Sequence, residues 1–237
     1  MNLRILLIIP AFNEEKSIVA ALCHVINSKY DYIVINDGSV DQTAKILDEG
    51  NYNHIDLFYN LGIGGAMQTG YKYAEKHGYD IAVQYDADGQ HDIKYIEKII
   101  QPIIDDEADF VIGSRFINKS ATNFTSTALR RLGIKLLSDT IKLFSKKRVY
   151  DVTSGFRAAN KNIISKFAHD YPIEYPEPIS DFELITQGFR IKEVQVSMNK
   201  RMDGKSSIHS WKSIYYMINV FISIILMQLR RKKNGAA

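Results

Sequence analysis

Short apolar runs alternate with stretches of helical spacing along the first half of the chain. Residues 3–9 are apolar apart from Arg4, which is typical of a strand covered on both faces. Residues 14–27 carry apolar side chains at helical intervals, and Asn13 is placed to cap that helix. The same reasoning predicts strands at 32–36, 55–59, 81–85 and 110–113, and helices at 41–49, 64–76 and 94–103.

Strands interleaved with helices of this length predict an α/β fold of the Rossmann-like kind, with a mostly parallel sheet flanked by helices. In such sheets, ligands bind at the carboxyl ends of the strands. Beyond residue 115 the pattern changes to a basic, helix-prone stretch at 128–147, then to short mixed elements, and finally to a helix at 211–233. We therefore predict one domain over residues 1–210, made of halves 1–115 and 116–210, followed by the C-terminal helix.

Composition places the chain among ordinary globular proteins. Of its 237 residues, 46% are hydrophobic and 24% are charged, which excludes disordered and fibrous classes. A formal net charge of +3 is too small to indicate a nucleic-acid partner. The single cysteine, Cys23, excludes an internal disulfide and a zinc site built from cysteines, and it indicates a reducing compartment.

Polar residues collect where the first four predicted strands end. Any one of these segments alone is typical of a turn, because Asp-Gly and Asn-x-Gly are common loop sequences. Four such segments at neighbouring strand ends indicate a binding site instead. They are Pro10-Ala11-Phe12-Asn13-Glu14, Asn36-Asp37-Gly38-Ser39, residues 60–66 (Asn-Leu-Gly-Ile-Gly-Gly-Ala) and Asp86-Ala87-Asp88-Gly89-Gln90-His91.

The pair Asp86 and Asp88 predicts a divalent-metal site. Side chains two residues apart in an extended segment point the same way, so the two carboxylates converge. Carboxylates that close repel each other unless a cation neutralises them, and hard oxygen ligands suit Mg²⁺ or Mn²⁺. An isolated Asp-x-Asp is usually a turn, but a position after a buried strand and beside other polar strand ends favours the metal site.

The glycines after the third strand do not form the dinucleotide-binding fingerprint. Gly62-x-Gly64 is followed at the third position by Met67, where that motif has Gly or Ala. These glycines still allow close backbone approach to a ligand at a helix N-terminus. A nicotinamide-dependent Rossmann enzyme is therefore the weaker interpretation.

Taken together, these segments resemble the motifs of the family 2 glycosyltransferases, which have the GT-A fold. Gly113-Ser114-Arg115 and residues 151–157 (Asp-Val-Thr-Ser-Gly-Phe-Arg) extend the resemblance, which covers residues 4–206. The Gln90-His91 extension, Gly-Ser-Arg and Ser-Gly-Phe-Arg are most similar to the branch that includes dolichol-phosphate mannosyltransferase and polyprenyl-phosphate glucosyltransferases. The Pro-rich segment Tyr175-Pro176-Glu177-Pro178 matches none of these motifs.

The resemblance implies that residues 1–115 bind a nucleotide-diphosphate sugar, with Mg²⁺ or Mn²⁺ as cofactor. It implies that Asp88, assisted by Gln90, binds the metal, and that Asp86 lies near the ribose and the diphosphate. The other implied donor-site residues stand at strand ends: Pro10, Ala11, Asn13, Glu14, Asp37, Gly65 and Ala87.

The resemblance also implies phosphate contacts in the second half, which would be the acceptor half. Arg115 and Arg157 would face phosphates, where a planar guanidinium engages two oxygens at once. Arg201 and Ser206 belong to a segment similar to the family's late basic Gly-Ser loop, which closes over the donor diphosphate.

Two aspartates resemble acidic positions of the family and are candidates for the catalytic base. Asp151 precedes Ser-Gly-Phe-Arg, and Asp181 lies in Ser180-Asp181-Phe182-Glu183. Either would take the proton of an acceptor hydroxyl, and Asp151 is favoured. An acceptor that is already an anion, such as a phosphate, needs no base.

The predicted C-terminal helix carries a narrow polar stripe on an otherwise apolar surface. The stripe contains Lys212, Asn219, Ser223 and Arg230, and a basic cluster ends the helix. This pattern favours a helix lying in a membrane interface, with the basic cluster on anionic head groups. The alternative is a helix buried against the domain or in a dimer. Its apolar run, 214–229, is shorter than the ~20 residues that a spanning helix needs.

The sequence as a whole predicts an inverting, metal-dependent glycosyltransferase that is peripheral at the cytoplasmic face of a membrane. Its acceptor would be a polyprenyl phosphate or a polyprenyl-linked saccharide in cell-surface polysaccharide assembly. No nucleic-acid partner is expected, and a homo-oligomer is left open.

Two other classes of protein are less well supported. A sugar-nucleotide nucleotidyltransferase would have a Gly-rich basic loop right after the first strand, which residues 10–15 are not. A non-catalytic, membrane-docked partner would not need to keep Asp86, Asp88, Arg115 and Arg157 intact.

Overall fold

The computed structural model describes residues 3–117, 128–198 and 210–234, and these residues contain one seven-stranded sheet with helices on both faces. The strands are β1 (Ile5–Ala11), β2 (Asp31–Asn36), β3 (His54–Asp56), β4 (Ile81–Gln84), β5 (Phe110–Ser114), β6 (Arg157–Asn160) and β7 (Ile191–Gln195). The helices are α1 (Ile18–Ile26), α2 (Thr43–Glu49), α3 (Gly62–Lys76), α4 (Ile96–Ile104), α5 (Ala128–Ser145), α6 (Lys161–His169), α7 (Pro176–Thr186) and α8 (Ser210–Asn234), with a 3₁₀ turn at Ile93–Tyr95.

The strands are ordered β3-β2-β1-β4-β6-β5-β7, and β6 runs antiparallel to both of its neighbours. The remaining pairs are parallel, which confirms the prediction of a mostly parallel sheet flanked by helices. Pro10 lies within β1 but beyond Ile8, the last residue of β1 that pairs with β4. A proline is tolerated there because the ladder with β4 does not need its missing N–H.

Alternating side chains of the central strands build two cores, one on each face of the sheet. On one face Ile8 packs with Met67 and Tyr71 of α3 and with Phe167 of α6. On the other face Leu7 and Ile9 pack with residues of α1, α2 and α4. Covering both faces accounts for the continuously apolar strands, and it leaves the strand ends as the place where polar groups meet a ligand.

Helix α1 begins later than the sequence pattern predicts. Its first residue is Ile18, and Asn13 does not cap it. Asn13 adopts a left-handed backbone conformation (φ 55°), and its Oδ1 accepts a hydrogen bond from the backbone N–H of Val40. The prediction of Asn13 as a helix cap is therefore wrong, because the residue ties together the loops that follow β1 and β2.

Helix α8 packs against α5 and α7, with Val220 and Ile224 fully buried. Asn219 donates a hydrogen bond to the hydroxyl of Tyr175 at 3.0 Å, so this part of the polar stripe faces the domain. The side of α8 that faces away from Val220 and Ile224 is apolar and exposed, including Ile222 and Leu226. In the part of the chain that the structure describes, no helix combines the length and the apolar character needed to cross a bilayer.

Candidate functional site

A cleft of about 760 Å³ opens at the carboxyl ends of β1, β2 and β4. It brings together residues from all four polar segments that follow the predicted strands. It also receives side chains from α5, α7 and α8. The predicted site residues that line it are Pro10, Ala11, Glu14, Asp37, Asp86, Ala87, Asp88, Gln90 and Arg115.

Asp37 anchors one end of the cleft. Its side chain is almost fully buried, and its Oδ1 accepts a hydrogen bond of 2.7 Å from the backbone N–H of Leu61. Burial raises the pKa of the Asp37 carboxyl, while backbone hydrogen bonds from Leu61 and Gly62 oppose the shift. Asp37 therefore joins the loop after β2 to the loop before α3.

Gly65 does not line the cleft, contrary to its predicted role. It lies inside α3, where an added Cβ would come within 2.4 Å of the Cβ of Leu61. The cleft is instead lined by Gly62, Ile63 and Ala66 from the same segment. The glycine-rich sequence therefore identifies a segment that lines the cleft, but within α3 the Cβ position of Gly65 points at Leu61.

Asp86 and Asp88 both line the cleft. The side chain of Asp86 is 30% exposed, and its Oδ1 accepts a hydrogen bond of 3.3 Å from Gln84 Nε2. Asp88 is more buried, and its Oδ1 accepts a hydrogen bond from the backbone N–H of Gln90 at 2.9 Å. Burial lowers the pKa of the neighbouring His91 imidazole, and the charge of Asp86 opposes this shift.

The Ser-Gly-Phe-Arg segment packs directly beneath the Asp-x-Asp segment. A Cβ on Gly155 would come within 2.9 Å of both Asp86 Oδ2 and Gln84 Nε2, so the missing side chain leaves room for these groups. The ring of Phe156 stacks on that of His91, with centroids 4.4 Å apart. Two motifs far apart in sequence therefore form one packed unit.

Arg115 lines the cleft and is held by Asp151. Its Nε and Nη2 donate to the two carboxylate oxygens of Asp151, each at 2.7 Å, and its backbone N–H donates at 2.9 Å. Asp151 is fully buried, and its own N–H donates to Glu193. The structure thus places Asp151 behind Arg115, where it does not reach the cleft as a predicted base would.

Arg157 and Asp181 form a second buried ion pair. The two side chains are 1% and 0% exposed, and Arg157 Nη1 lies 2.9 Å from Asp181 Oδ1. Arg157 Nη1 also donates to the Ser180 hydroxyl at 3.0 Å and to the carbonyl of Glu177 at 3.0 Å. Burial raises the pKa of Asp181, and the Arg157 guanidinium opposes that shift. The predicted roles on phosphate and as a base do not agree with this position beneath the cleft.

Glu177 and Tyr175 are cleft residues that the sequence reasoning missed. Both come from the Pro-rich segment that matches no motif, and both line the cleft. Burial raises the pKa of Glu177, Arg157 opposes the shift, and Asp86 adds to it. The aromatic and proline content of residues 171–178 was the sequence feature that could have indicated a binding segment.

Arg201 and Ser206, which were also predicted as site residues, lie outside the residues that the structure describes.

The residues present fit a divalent cation at Asp86 and Asp88. Both carboxylates reach the same cleft, and carboxylate oxygens are the donors that Mg²⁺ and Mn²⁺ prefer. A separate group of possible ligands, Asp48, His54 and Asp56, lies at the edge of the sheet around β3. His54 Nε2 is 3.4 Å from a carboxylate oxygen of each aspartate, and exposed acidic groups of this kind are common without a metal ion.

Comparison with known proteins identifies the class to which this fold and cleft belong. The family model described as "Glycosyl transferase family 2" matches residues 6–167. The chain is 33% identical to UDP-N-acetylglucosamine–dolichyl-phosphate N-acetylglucosaminyltransferase of Methanococcus voltae, over 95% of this chain and 96% of that protein. It is 26% identical to polyprenol monophosphomannose synthase of Mycolicibacterium smegmatis, over 86% and 81% of the two chains.

A solved structure shares the fold. Glucosyl-3-phosphoglycerate synthase from Mycobacterium tuberculosis, in complex with Mn²⁺, UDP and phosphoglyceric acid, aligns with a TM-score of 0.70 at 16% identity. The alignment covers 96% of this chain and 78% of that chain. The chain therefore belongs to glycosyltransferase family 2, and it is a glycosyltransferase with the GT-A fold.

Proposed function

We propose that this glycosyltransferase moves a sugar from a nucleotide-diphosphate sugar to a polyprenyl phosphate, for use in cell-surface polysaccharide assembly. The observation that carries the proposal is the meeting of Asp37, Asp86, Asp88 and Arg115 in one cleft. The two relatives support the acceptor class, since their names specify dolichyl-phosphate and polyprenol monophosphomannose. A volume of about 760 Å³ is within the range of small-molecule and cofactor sites.

In this proposal the donor lies along the carboxyl edge of the sheet. Asp37 and the residues after β1 contact the nucleoside, and Asp86 and Asp88 lie beside the diphosphate. Asp88, assisted by Gln90, would hold a Mg²⁺ or Mn²⁺ ion with Asp86 nearby. Such an ion, when bound, stabilises the charge of the departing diphosphate.

The acceptor phosphate is itself the nucleophile in this proposal. An anionic oxygen attacks the anomeric carbon from the face opposite the diphosphate, and the configuration inverts. No proton has to be removed, so no base is needed. This fits the burial of Asp151 and Asp181, each of which is paired with an arginine. Arg115, oriented by Asp151, presents its guanidinium to a phosphate in the cleft.

An apolar face next to the cleft supports docking on a membrane. We define it by its exposed residues on two adjacent helices: Leu132, Leu136 and Leu143 of α5, and Ile218, Ile222, Leu226 and Leu229 of α8. Exposed basic side chains accompany it, namely Arg131, Lys135, Lys142, Arg230 and Arg231. Apolar and basic groups together favour an anionic lipid surface.

The same two helices contribute to the wall of the cleft, through Ile134 of α5 and Tyr216 and Met217 of α8. A lipid whose chain stays in the bilayer would then reach the cleft with its phosphate. We therefore propose a peripheral protein whose cleft opens beside the membrane, at the cytoplasmic face where nucleotide sugars are made.

The donor half of the proposal is tested by thermal stabilisation. The protein is melted with Mn²⁺ and each of a panel of nucleotide sugars, starting with UDP-N-acetylglucosamine, because binding to the folded state raises the apparent stability. We expect the nucleotide sugars that carry one particular base to raise the Tm of wild type. The same compounds should not raise the Tm of Asp37→Ala. No shift with any nucleotide sugar would contradict the donor assignment.

A further inference from the structure

His91 lies beneath the Asp-x-Asp segment and contacts Asp86 at two points. The backbone N–H of Asp86 donates to His91 Nδ1 at 2.9 Å, and His91 Nε2 lies 3.5 Å from Asp86 Oδ2. An imidazole nitrogen that accepts from an amide carries no proton, so the ring's proton is on Nε2. The protonated nitrogen, Nε2, therefore lies beside the carboxylate of Asp86.

The imidazole has little freedom to leave this position. Its side chain is 2% exposed, and its plane lies 12° from that of Phe156 in a stacked contact. The hydroxyl of Tyr85 donates to the carbonyl of His91 at 2.8 Å, which fixes the backbone as well. Rotating the ring away would break the amide contact and open the packing around Phe156.

An N–H group also lies beside the other carboxylate oxygen of Asp86, Oδ1. Gln84 is 1% exposed, and its Nε2 lies 3.3 Å from Asp86 Oδ1. Both oxygens of one cleft carboxylate therefore have neutral N–H groups beside them. A neutral group orients a carboxylate without cancelling its charge, which a lysine or an arginine in the same place would do.

We propose that His91 is a positioning residue for Asp86. Its Nδ1 is fixed by the Asp86 backbone and its Nε2 lies beside Oδ2, so it fixes the rotation of the Asp86 carboxylate at the edge of the cleft, and Phe156 fixes His91 in turn. This role connects the His of the Asp-x-Asp-Gly-Gln-His segment to the Phe of Ser-Gly-Phe-Arg. Its effect on sugar transfer rests on the proposed function, whereas the contact itself does not.

The contact is tested without any substrate by nitrogen-15 NMR of histidine-labelled protein at pH 7.5. Two-bond correlations distinguish the two neutral tautomers and the charged ring, and the signals of His91 are those missing from His91→Asn. We expect an Nδ1 without a proton, as its contact with the Asp86 amide requires, and an Nε2 shift that changes in Asp86→Asn. A proton on Nδ1, or an Nε2 signal indifferent to Asp86→Asn, would overturn the proposal.

A matched pair of variants tests the consequence. His91→Asn can keep an acceptor near the Nδ1 position but has no group at the Nε2 position, whereas His91→Gln can place an amide N–H there. Both lose the ring that stacks on Phe156, so we expect similar falls in Tm. With the nucleotide sugar that wild type uses, we expect about a 10–100-fold lower kcat/KM in His91→Asn, which is the usual cost of losing a group that orients a functional side chain. We expect a smaller loss in His91→Gln.

Equal losses in the two variants would make His91 a packing residue and overturn the positioning role. If wild type transfers no sugar at all, the proposed function fails. The NMR result then still decides whether His91 faces Asp86 as proposed, so the two failures are distinguishable.

Discussion

Arg115 holds the carboxylate of Asp151 through three hydrogen bonds of 2.7 to 2.9 Å, and Asp151 is completely buried behind it. A carboxylate in this position cannot reach an acceptor. It can fix the guanidinium of Arg115, whose Nη2 also donates to Thr153 at 3.1 Å at the wall of the cleft. The pair therefore places one oriented guanidinium at the wall of the cleft.

Asp151→Asn separates the two possible roles of this aspartate. The change keeps the shape but leaves Arg115 without its counter-charge, and removing one partner of a buried pair costs about 3–5 kcal/mol. We expect a lower free energy of unfolding in urea, with measurable transfer by the protein that stays folded. Wild-type stability with abolished kcat would indicate a catalytic base instead.

The buried ion pair of Arg157 and Asp181 predicts that removing Asp181 alone lowers the free energy of unfolding. Removing both partners should lower it much less. Asp181→Ala leaves a buried guanidinium uncompensated, and we expect a loss of about 3–5 kcal/mol in denaturant unfolding. Replacing both partners by apolar residues, as in Arg157→Met with Asp181→Leu, should recover much of that loss. If Asp181→Ala unfolds like wild type yet transfers no sugar, Asp181 acts in the reaction and the structural role is wrong.

Asp88→Asn tests the metal at the Asp-x-Asp segment. The substitution keeps the size of the side chain and removes the charge that binds the cation, so we expect a normal Tm and loss of divalent-dependent donor turnover. Asp56→Asn, in the other group of possible ligands, serves as the control and should keep activity. Full turnover by Asp88→Asn in saturating chelator would rule out this metal site.

Gly155→Ala tests the packing between the two motifs. The new Cβ would lie 2.9 Å from Asp86 Oδ2 and from Gln84 Nε2, so one of these side chains has to move. Because both are movable side-chain ends, we expect a small fall in Tm and a fall of about tenfold or more in kcat/KM, since small misplacements of reacting groups are costly. An unchanged kcat/KM would show that the position of Asp86 matters little.

The apolar face of α5 and α8 predicts binding to lipid vesicles. Leu226→Gln with Leu229→Gln should weaken co-sedimentation with anionic vesicles, because each leucine is more than half exposed on that face. Val40→Gln with Phe58→Gln removes apolar groups elsewhere that are even more exposed, and this double variant should bind vesicles like wild type. Equal behaviour of the two double variants would contradict docking through this face.

The basic groups at the end of α8 should make that binding depend on salt. Arg230 and Arg231 are exposed, and each basic residue near an anionic surface contributes roughly 1 kcal/mol. Replacing both by Gln should weaken vesicle binding at low salt and have little effect at high salt. An effect that is the same at both salt concentrations would point to a change in the packing of α8 instead.

The alternation of apolar runs and helical stretches predicted the first five strands, because buried strands and amphipathic helices have different periods. It missed β6 and β7, since Arg157-Ala158-Ala159-Asn160 and Ile191–Gln195 form neither a continuous apolar run nor a clear alternation. The antiparallel β6 depends on contacts with β4 and β5 that are distant in sequence. The local pattern of apolar and polar residues carries no information about contacts between segments that are distant in sequence.

The site was predictable where a residue follows directly from a strand end, as for Asp37, Asp86 and Asp88. It was less predictable where the direction of a side chain depends on a partner. Arg115 and Arg157 both come from basic positions in motifs, yet one lines the cleft and the other is 1% exposed beneath it. What distinguishes the two arginines is where their partners lie in three dimensions, since Arg115 pairs with Asp151 and Arg157 pairs with Asp181.

The most direct test of the account is a transfer assay with lipid extraction. The protein is incubated with Mn²⁺, the nucleotide sugar that stabilises it, and either a polyprenyl phosphate or the matching polyprenol. Mass spectrometry of the organic phase should show a glycosylated lipid phosphate from the first acceptor and no product from the second, and NMR should show an inverted anomeric centre. Equal glycosylation of the polyprenol, or release of free sugar without any lipid product, would contradict the proposal that the acceptor phosphate is the nucleophile.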